Sequence, residues 1–245
     1  MPTIHVLLKR GEIDTALLAG KVVVVLDVLF ATTTIIDALA RGANRVYTVR
    51  TPEEAIEMAS RLEDAVLAGE HMARMIPGFQ AATPMALAKA GLHGAQLVYC
   101  TTNGTQALAT VTEVTGVDVF AGALLNGKAL ATHIVARHAG ASILLVCSGS
   151  VDRFNLEDFH GAGHIIAHLI KLHDFQVTDA AQAALHCYRG CDTRTALFAS
   201  RVGRMMVELG LEEEVEYACQ SDSVEVVPQW VDGRLVDASL MQEAA

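Results

Sequence analysis

A single acidic residue, Asp27, directly follows the apolar run Val22–Leu26. A run of mostly β-branched residues predicts a strand buried on both faces, where an unpaired carboxylate would cost several kcal/mol. We therefore expect Asp27 at the C-terminal end of this strand, the edge at which open α/β sheets bind ligands. Three threonines, at 32–34, follow at the start of a predicted helix, and their hydroxyl and N–H groups suit an anion. A carboxylate beside such donors is typical of a phosphoryl-transfer site, although a plain helix cap is the simpler interpretation.

Length, composition and charge restrict the class of protein. The 245 residues suffice for one large or two small domains, and the hydrophobic fraction of 52% comes from aliphatic rather than aromatic residues. A net charge of −10 without Lys/Arg clusters predicts no nucleic-acid partner, and an anionic substrate would then need a cation at its site. No apolar stretch is long enough for a membrane span and no signal-peptide pattern is present, so we expect no membrane partner and a cytoplasmic location.

Strand-like runs alternate with alanine-rich amphipathic segments along the chain. This alternation predicts the α/β class, with three layers α/β/α around a largely parallel or mixed sheet. We interpret residues 1–245 as one domain because no linker or repeat divides them. The predicted strands are 4–8, 22–26, 45–49, 65–68, 97–100, 117–121, 142–147 and 224–227. The predicted helices include 34–40, 51–62, 105–114 and 126–138, and most of 157–209 is also predicted to be helical.

Small or polar residues follow three further predicted strands. The carboxyl ends of parallel strands meet at one edge of a sheet, so these residues are expected to lie near Asp27. A glycine after threonines and an asparagine permits positive φ and makes an anion cradle, with a capped turn as the simpler alternative. The residues are Glu70, Thr102, Asn103, Gly104, Ser148 and Gly149.

Histidines and cysteines give two weaker metal patterns. His160, His164 and His168 recur at a spacing of four, and such a ladder on one helix face can chelate a metal. We favour a partly exposed, histidine-rich helix face, since no matching ligand loop is obvious. The five cysteines are scattered and odd in number, which argues against a disulfide framework, and Cys187 with Cys191 lacks the second ligand pair of a structural zinc site.

Several short segments recur in the order of a known family. They are Leu26-Asp27-Val28-Leu29 with Ala31-Thr32-Thr33-Thr34, Gly69-Glu70, Gly78-Phe79, Thr101-Thr102-Asn103-Gly104-Thr105, Cys147-Ser148-Gly149 and Leu156-Glu157-Asp158 with Ala162-Gly163. In this order over nearly the full chain they resemble the 2-phosphosulfolactate phosphatase family. The resemblance implies a three-layer α/β/α fold and a Mg²⁺-dependent phosphatase. Its substrate would be a small phosphorylated, sulfonated hydroxy acid, cleaved to sulfolactate and phosphate in the route to coenzyme M.

The predicted site has a metal-binding part and a substrate-binding part. Asp27, with Glu157 or Asp158, is expected to hold Mg²⁺ through oxygen ligands. The groups predicted to bind the phosphoryl oxygens are Thr32, Thr33, Thr102, Asn103 and the N–H groups of Gly104 and Gly149.

Two chemical routes remain open for the attacking group. Glu70, or a carboxylate of the Glu157-Asp158 pair, is the predicted general base on water, provided that its pKa is raised. Cys147 or Ser148 is the alternative, as a covalent nucleophile. We rank direct attack by water first.

Departures from the family pattern bear on the substrate. Family members usually carry arginine where this chain has Phe30 and His71, and arginine is the preferred residue for bidentate phosphate or sulfonate recognition. Arg74 and Arg153 are candidate replacements. The departures predict a less anionic substrate or reduced activity, so a catalytically silent metabolite-binding relative and a hydrolase of another small phosphorylated substrate are the alternatives. A homo-oligomer is also open, because the chain is strongly apolar.

Overall fold

The fold is built on a mixed β-sheet. It is described from a computed structural model that covers residues 1–72 and 74–241. The strands are β1 (Thr3–Leu7), β2 (Val22–Leu26), β3 (Arg45–Val49), β4 (Ala65–His71), β5 (Arg74–Met75), β6 (Gln96–Cys100), β7 (Asp118–Gly122), β8 (Ile143–Cys147), β9 (Gln176–Val177), β10 (Pro228–Val231) and β11 (Arg234–Asp237).

Helices connect most of the strands and dominate the C-terminal third. They are α1 (Ala31–Ala40), α2 (Pro52–Ala59), α3 (Pro84–Ala88), α4 (Gly104–Thr112), α5 (Gly127–His138), α6 (Leu156–Leu172), α7 (Asp179–Gly190), α8 (Thr193–Ala199), α9 (Arg201–Glu208) and α10 (Glu212–Ala218). Among residues 1–72 and 74–241, no helix combines the length and the apolar character that crossing a membrane requires.

The sheet consists of two parallel halves joined by a hairpin. Its strand order is β5-β4-β6-β3-β11-β10-β7-β2-β8-β1-β9. The pairs within β4-β6-β3 and within β7-β2-β8-β1-β9 are parallel, whereas the hairpin β10–β11 pairs antiparallel with β3 on one side and β7 on the other. Three antiparallel pairings separate β3 from β7, so the two parallel halves run in opposite directions. The carboxyl ends of β2 and β8 lie at one edge of the sheet and those of β4 and β6 at the other, so the expectation of one shared edge is wrong.

Both faces of the sheet are covered. Side chains of β2 alternate between two hydrophobic clusters: Val23 and Val25 pack with residues of α1 and α4, while Val22, Val24 and Leu26 pack with residues of α5, α6 and α7. All five are inaccessible to solvent. This burial on both faces explains the run of aliphatic residues and confirms the predicted α/β architecture.

The predicted strand at 224–227 is wrong. Residues 223–227 form no regular element, and the C-terminal hairpin begins at Pro228. The apolar residues there, Val226 and Val227, are buried by packing against the two core clusters rather than by pairing in a strand. An apolar run marks burial, and burial alone does not distinguish a strand from an extended connection.

Helices α6 and α7 approach each other closely at Gly163. A Cβ atom on this residue would lie 2.1 Å from the carbonyl oxygen of Ala184 and 2.7 Å from the Cβ atom of Tyr188. Both neighbours belong to α7, and one of them is backbone, so the contact cannot relax by a side-chain rotation alone. The absence of a side chain at Gly163 is thus a packing requirement of α6.

Gly163→Ala should lower the free energy of unfolding by about 1 to 3 kcal/mol, because α7 must move away from α6. Chemical denaturation measures the change. Gly190→Ala in α7 is the matched control, since an added Cβ there meets no atom within 4 Å, and it should be neutral or slightly stabilising. Equal losses in the two variants would contradict the packing argument.

Candidate active site

A cavity of about 400 Å³ is lined by residues at or just after the carboxyl ends of β2, β4 and β6. Its walls come from both halves of the sheet, with further contributions from the loop after β8 and from α9. The polar lining residues are Asp27, Glu70, Thr83, Tyr99, Thr101, Thr102, Asn103, Ser150 and Arg201. The apolar lining residues are Leu29, Phe30, Ala31, Met72, Met75, Ala81, Ala82, Ala86, Val151, Val202, Met205, Met206 and Leu211.

Asp27 lies between the N-termini of two helices. The backbone N–H groups of Ala31, the first residue of α1, and Gly104, the first residue of α4, lie close enough to its carboxylate to lower its pKa. Only 6% of the residue is exposed, and it lines the cavity. Two helix N-termini supply partial positive charge that stabilises the carboxylate.

Gly104 is required for this close approach. A Cβ atom at this position would lie 2.4 Å from the Cβ atom of Ala31 and 2.7 Å from Oδ2 of Asp27. The glycine that was predicted as part of an anion cradle therefore serves the protein's own carboxylate. Its N–H group lies close enough to the Asp27 carboxylate to lower the pKa of that group.

The electrostatic environment keeps Asp27 close to half-protonated at neutral pH. Burial raises the pKa of Asp27 to about 7, opposed first by the N–H group of Ala31, and the like charges of Glu157 and Glu70 raise it further. A raised carboxyl pKa in a cavity is typical of a functional site. It also means that a cation beside Asp27 would favour its charged form.

Two further acids lie behind Asp27 at the start of α6. Both oxygens of Glu157 are buried without a hydrogen-bond partner. Burial raises the pKa of Glu157. The nearby Ser200 hydroxyl lowers this pKa in part, but it is not within hydrogen-bond geometry of the carboxylate. Asp158 accepts the N–H groups of Val28 at 2.9 Å and Gly149 at 3.1 Å. Burial, followed by the charges of Asp27 and Glu157, raises the pKa of Asp158 well above its usual range.

Glu70 and Thr102 form a fixed pair on the opposite wall. The Glu70 carboxylate accepts the Thr102 N–H at 2.6 Å and the Thr102 hydroxyl at 3.0 Å. The same hydroxyl accepts the N–H of Met72 at 2.8 Å, which ties the loop after β4 to the loop after β6. This arrangement orients one carboxylate toward the cavity.

Asn103 joins the loop after β6 to a strained turn. Its Oδ1 atom accepts the N–H of Val151 at 3.1 Å. Val151 and Asp152 both have positive φ, 50° and 58°, between Ser150 and Arg153, which exchange two backbone hydrogen bonds of 3.0 Å. Positive φ at a β-branched residue is rare and often marks a functional segment.

Arg201 is a cavity residue that sequence reasoning missed. It is the first residue of α9, and its guanidinium donates to Oδ1 of Asn155 at 3.3 Å. The available signal was a Ser-Arg pair at a helix start, where Ser200 caps the helix by accepting the N–H of Gly203. Arg74 and Arg153, the predicted replacements for the missing arginines, do not line the cavity.

The structure brings Asp27, Glu70, Thr102 and Asn103 to the cavity, but not the remaining predicted residues. The Thr32 and Thr33 hydroxyls donate to the carbonyl groups of Asp27 at 3.0 Å and Val28 at 2.8 Å, and both residues are fully buried. These threonines therefore fix the loop after β2 and are not placed to bind a substrate.

The residues at the end of β8 also lie outside the cavity lining. Cys147 is fully buried in the hydrophobic cluster beneath α6, and burial raises the pKa of its thiol well above the usual range, which disfavours a nucleophilic thiolate. Ser148 is buried, with no hydrogen-bond partner for its hydroxyl oxygen. The Gly149 N–H is engaged by Asp158. Ser150, one residue further on, is the member of this loop that reaches the cavity.

Fold and cavity together define an enzyme of the α/β class with an acidic site formed by residues that follow β2, β4 and β6. A family model described as 2-phosphosulpholactate phosphatase matches residues 8–233, and the chain belongs to this family. The resemblance inferred from the short segments is thus confirmed.

Curated relatives match along almost their whole length. A protein of Deinococcus radiodurans named probable 2-phosphosulfolactate phosphatase is 37% identical over 90% of this chain and 92% of its own length. Proteins of the same name from Carboxydothermus hydrogenoformans and Clostridium acetobutylicum are 35% and 32% identical, covering 88% and 95% of this chain and 90% and 99% of their own.

The raised pKa of Asp27 predicts a pH dependence of stability in metal-free protein. The folded state holds a proton up to a pKa of about 7, whereas the unfolded chain releases it near the ordinary aspartate pKa of 3.8, so ionisation at higher pH disfavours folding. With EDTA present, the free energy of unfolding of the wild type should fall relative to that of Asp27→Asn between pH 4 and pH 7, by as much as about 4 kcal/mol. Urea denaturation at several pH values measures this. Parallel curves for the two proteins would contradict the assignment.

Proposed function

We propose that the protein is a magnesium-dependent phosphatase that hydrolyses a small phosphorylated hydroxy acid, 2-phosphosulfolactate or a related compound, to the hydroxy acid and phosphate. Family membership supports the reaction class. The observation that carries the proposal for the site is the buried Asp27, held between two helix N-termini and facing the same cavity as Glu70 and Arg201.

The residues present fit a Mg²⁺ ion. The charges of Glu157 and Glu70 raise the pKa of Asp27, and those of Asp27 and Glu157 raise the pKa of Asp158. Both oxygens of Glu157 are buried without a partner, so the region has uncompensated negative charge. Mg²⁺ prefers oxygen ligands and commonly takes one or two carboxylates together with waters and phosphate oxygens. Asp27 would be the ligand on the cavity side and Glu157 the one behind it. When bound, the ion would offset the negative charge of the phosphoryl group.

Three cavity residues and Asp158 have defined parts in the proposed hydrolysis. Water attacks the phosphorus atom, the P–O bond to the hydroxy acid breaks, and the leaving alkoxide takes a proton from solvent, to which Glu70 later returns the proton of the attacking water. Glu70 takes the proton of the attacking water, because Thr102 holds its carboxylate in one orientation. Arg201 binds the anionic groups of the substrate, and Asn103 offers its amide N–H groups. Asp158 positions the loops after β2 and β8.

The apolar part of the cavity bears on the choice of substrate. Phe30 stands in the wall together with four methionines, and Arg201 is the one Lys or Arg side chain in the wall among residues 1–72 and 74–241. A substrate that carries phosphate, carboxylate and sulfonate would offer more negative charge than one guanidinium and one divalent ion neutralise. A related phosphorylated hydroxy acid without the sulfonate therefore belongs in the first set of substrates to be tested.

Phosphate release from 2-phosphosulfolactate, phospholactate and other phosphorylated hydroxy acids should require Mg²⁺ and be lost in Asp27→Asn. The asparagine retains an acceptor for the helix N–H groups but removes the charge that would hold the ion. Circular dichroism checks that the variant is folded. The proposal fails if the folded wild type binds one of these compounds and releases no phosphate from any of them, and the silent metabolite-binding alternative would then replace it.

Arg201→Gln should reduce kcat/KM roughly 10- to 100-fold, the usual effect of losing a hydrogen bond to a charged group. Steady-state kinetics on the best substrate of the panel measures the effect. Arg204→Gln, on the same helix, is the matched control and should leave the kinetics unchanged, because Arg204 bonds to the carbonyl of Ala199 and does not line the cavity. Equal effects of both substitutions would argue for a general change in α9.

A further inference from the structure

A cluster of metal-ligating side chains lies away from the active-site cavity. His164 and His168 occupy successive turns of α6, and Asp222 belongs to the connection between α10 and β10. The ligand atoms of the three residues all lie within 4.8 Å of one another. None of the three lines the cavity described above. We propose that His164, His168 and Asp222 form a binding site for a divalent transition metal ion of the zinc class.

The distances match those around one ion. The Nε2 atom of His164 lies 3.0 Å from Oδ1 of Asp222, and the Nε2 atom of His168 lies 2.9 Å from Oδ2. Zinc binds imidazole and carboxylate atoms at about 2.0 to 2.2 Å in a tetrahedron, which places neighbouring ligand atoms roughly 3.3 Å apart. A small outward movement of the carboxylate therefore suffices to admit the ion.

The carboxylate is held in place by the backbone. Oδ1 of Asp222 accepts the N–H of Lys128 at 2.8 Å, and the N–H of Asp222 donates to the carbonyl of Leu124 at 2.9 Å. Asp222 also has a positive φ of 55°. These contacts fix the third ligand opposite α6 before any ion binds, and preorganisation of this kind favours binding.

The position of His164 is equally constrained. A Cβ atom on Gly127 would lie 2.4 Å from Cδ2 of His164, so the glycine makes room for the ring. The Tyr188 ring packs edge-on against it, with centroids 5.1 Å apart. Metal binding at Nε2 would place the ring proton of His164 on Nδ1, which is buried and has no hydrogen-bond partner in the protein.

The charge and the exposure of the cluster favour a cation with an open position. Two imidazoles that are neutral when they bind a metal, and one carboxylate, give the site a net negative charge. The side chains of His168 and Asp222 are 19% and 27% exposed, whereas His164 is 1% exposed, so an ion can enter from one side. Three protein ligands leave a fourth position for water. Mixed nitrogen and oxygen ligands favour zinc, cobalt or nickel over Mg²⁺.

The site can be tested by titrating full-length protein with Co²⁺ in excess Mg²⁺ and measuring the visible absorption of bound Co²⁺. Zn²⁺ is then added to displace the Co²⁺. The wild type should bind one equivalent. Asp222→Asn and His168→Gln should each weaken binding by about 100-fold or more, since a direct ligand contributes at least as much as the groups that support it. Zn²⁺ should also raise the Tm of the wild type but not that of Asp222→Asn.

Two controls separate this site from other sources of binding. His186→Gln removes another imidazole, which bonds to Gln182, and should bind like the wild type. Asp27→Asn should also bind one equivalent of Co²⁺. Metal binding at the histidine cluster is then tested independently of the proposed phosphatase activity. No bound equivalent in the wild type, or binding unaltered by Asp222→Asn, would overturn the proposal and leave the cluster as two imidazole–carboxylate hydrogen bonds.

Discussion

The buried carboxylate of Asp27 is the constraint on which the rest of the site depends. A charge with 6% exposure is stable only where donors surround it, and here the first N–H groups of α1 and α4 supply them. α1 follows β2 and α4 follows β6, and the loops after these strands bring both helix N-termini to the Asp27 side chain. Gly104 follows from the same requirement, since any side chain there would occupy the position of the carboxylate.

The three acids near Asp27 differ in their hydrogen-bond partners. Asp158 has both oxygens engaged by backbone N–H groups and links the loops after β2 and β8, whereas Glu157 has no hydrogen-bond partner. Glu70 faces the same space from the other half of the sheet, held by Thr102. The site therefore spans the two parallel halves, and the antiparallel hairpin β10–β11 holds these halves together.

The cavity combines a charged inner end with an apolar wall. Acids and one arginine face the carboxyl ends of the strands, and Phe30 with several methionines lines the remainder. Methionine side chains are flexible and adapt to irregular ligands, so this wall accommodates a carbon skeleton more readily than a third anionic group. Selectivity between related phosphorylated acids would then depend on the wall, and hydrolysis on the inner end.

The sequence by itself determined the fold class and the first acid of the site. Aliphatic runs alternating with amphipathic segments required a sheet covered on both faces, and an acid after the most apolar run could be accommodated only at a strand end. The same reasoning predicted that Glu70, Thr102 and Asn103 lie near Asp27, and they do line the cavity, although β4 and β6 run opposite to β2 in the sheet.

The tertiary structure decided which polar groups were already engaged and which distant residues joined them. The hydroxyl groups of Thr32 and Thr33 donate to carbonyl groups of their own loop, and Gly104 approaches the Asp27 carboxylate closely; neither fact can be read from residue type. Arg201 and Asp222 lie far along the chain from the residues they meet. Local patterns record only neighbours in sequence, whereas these contacts arise from how the helices of the C-terminal third pack onto the sheet.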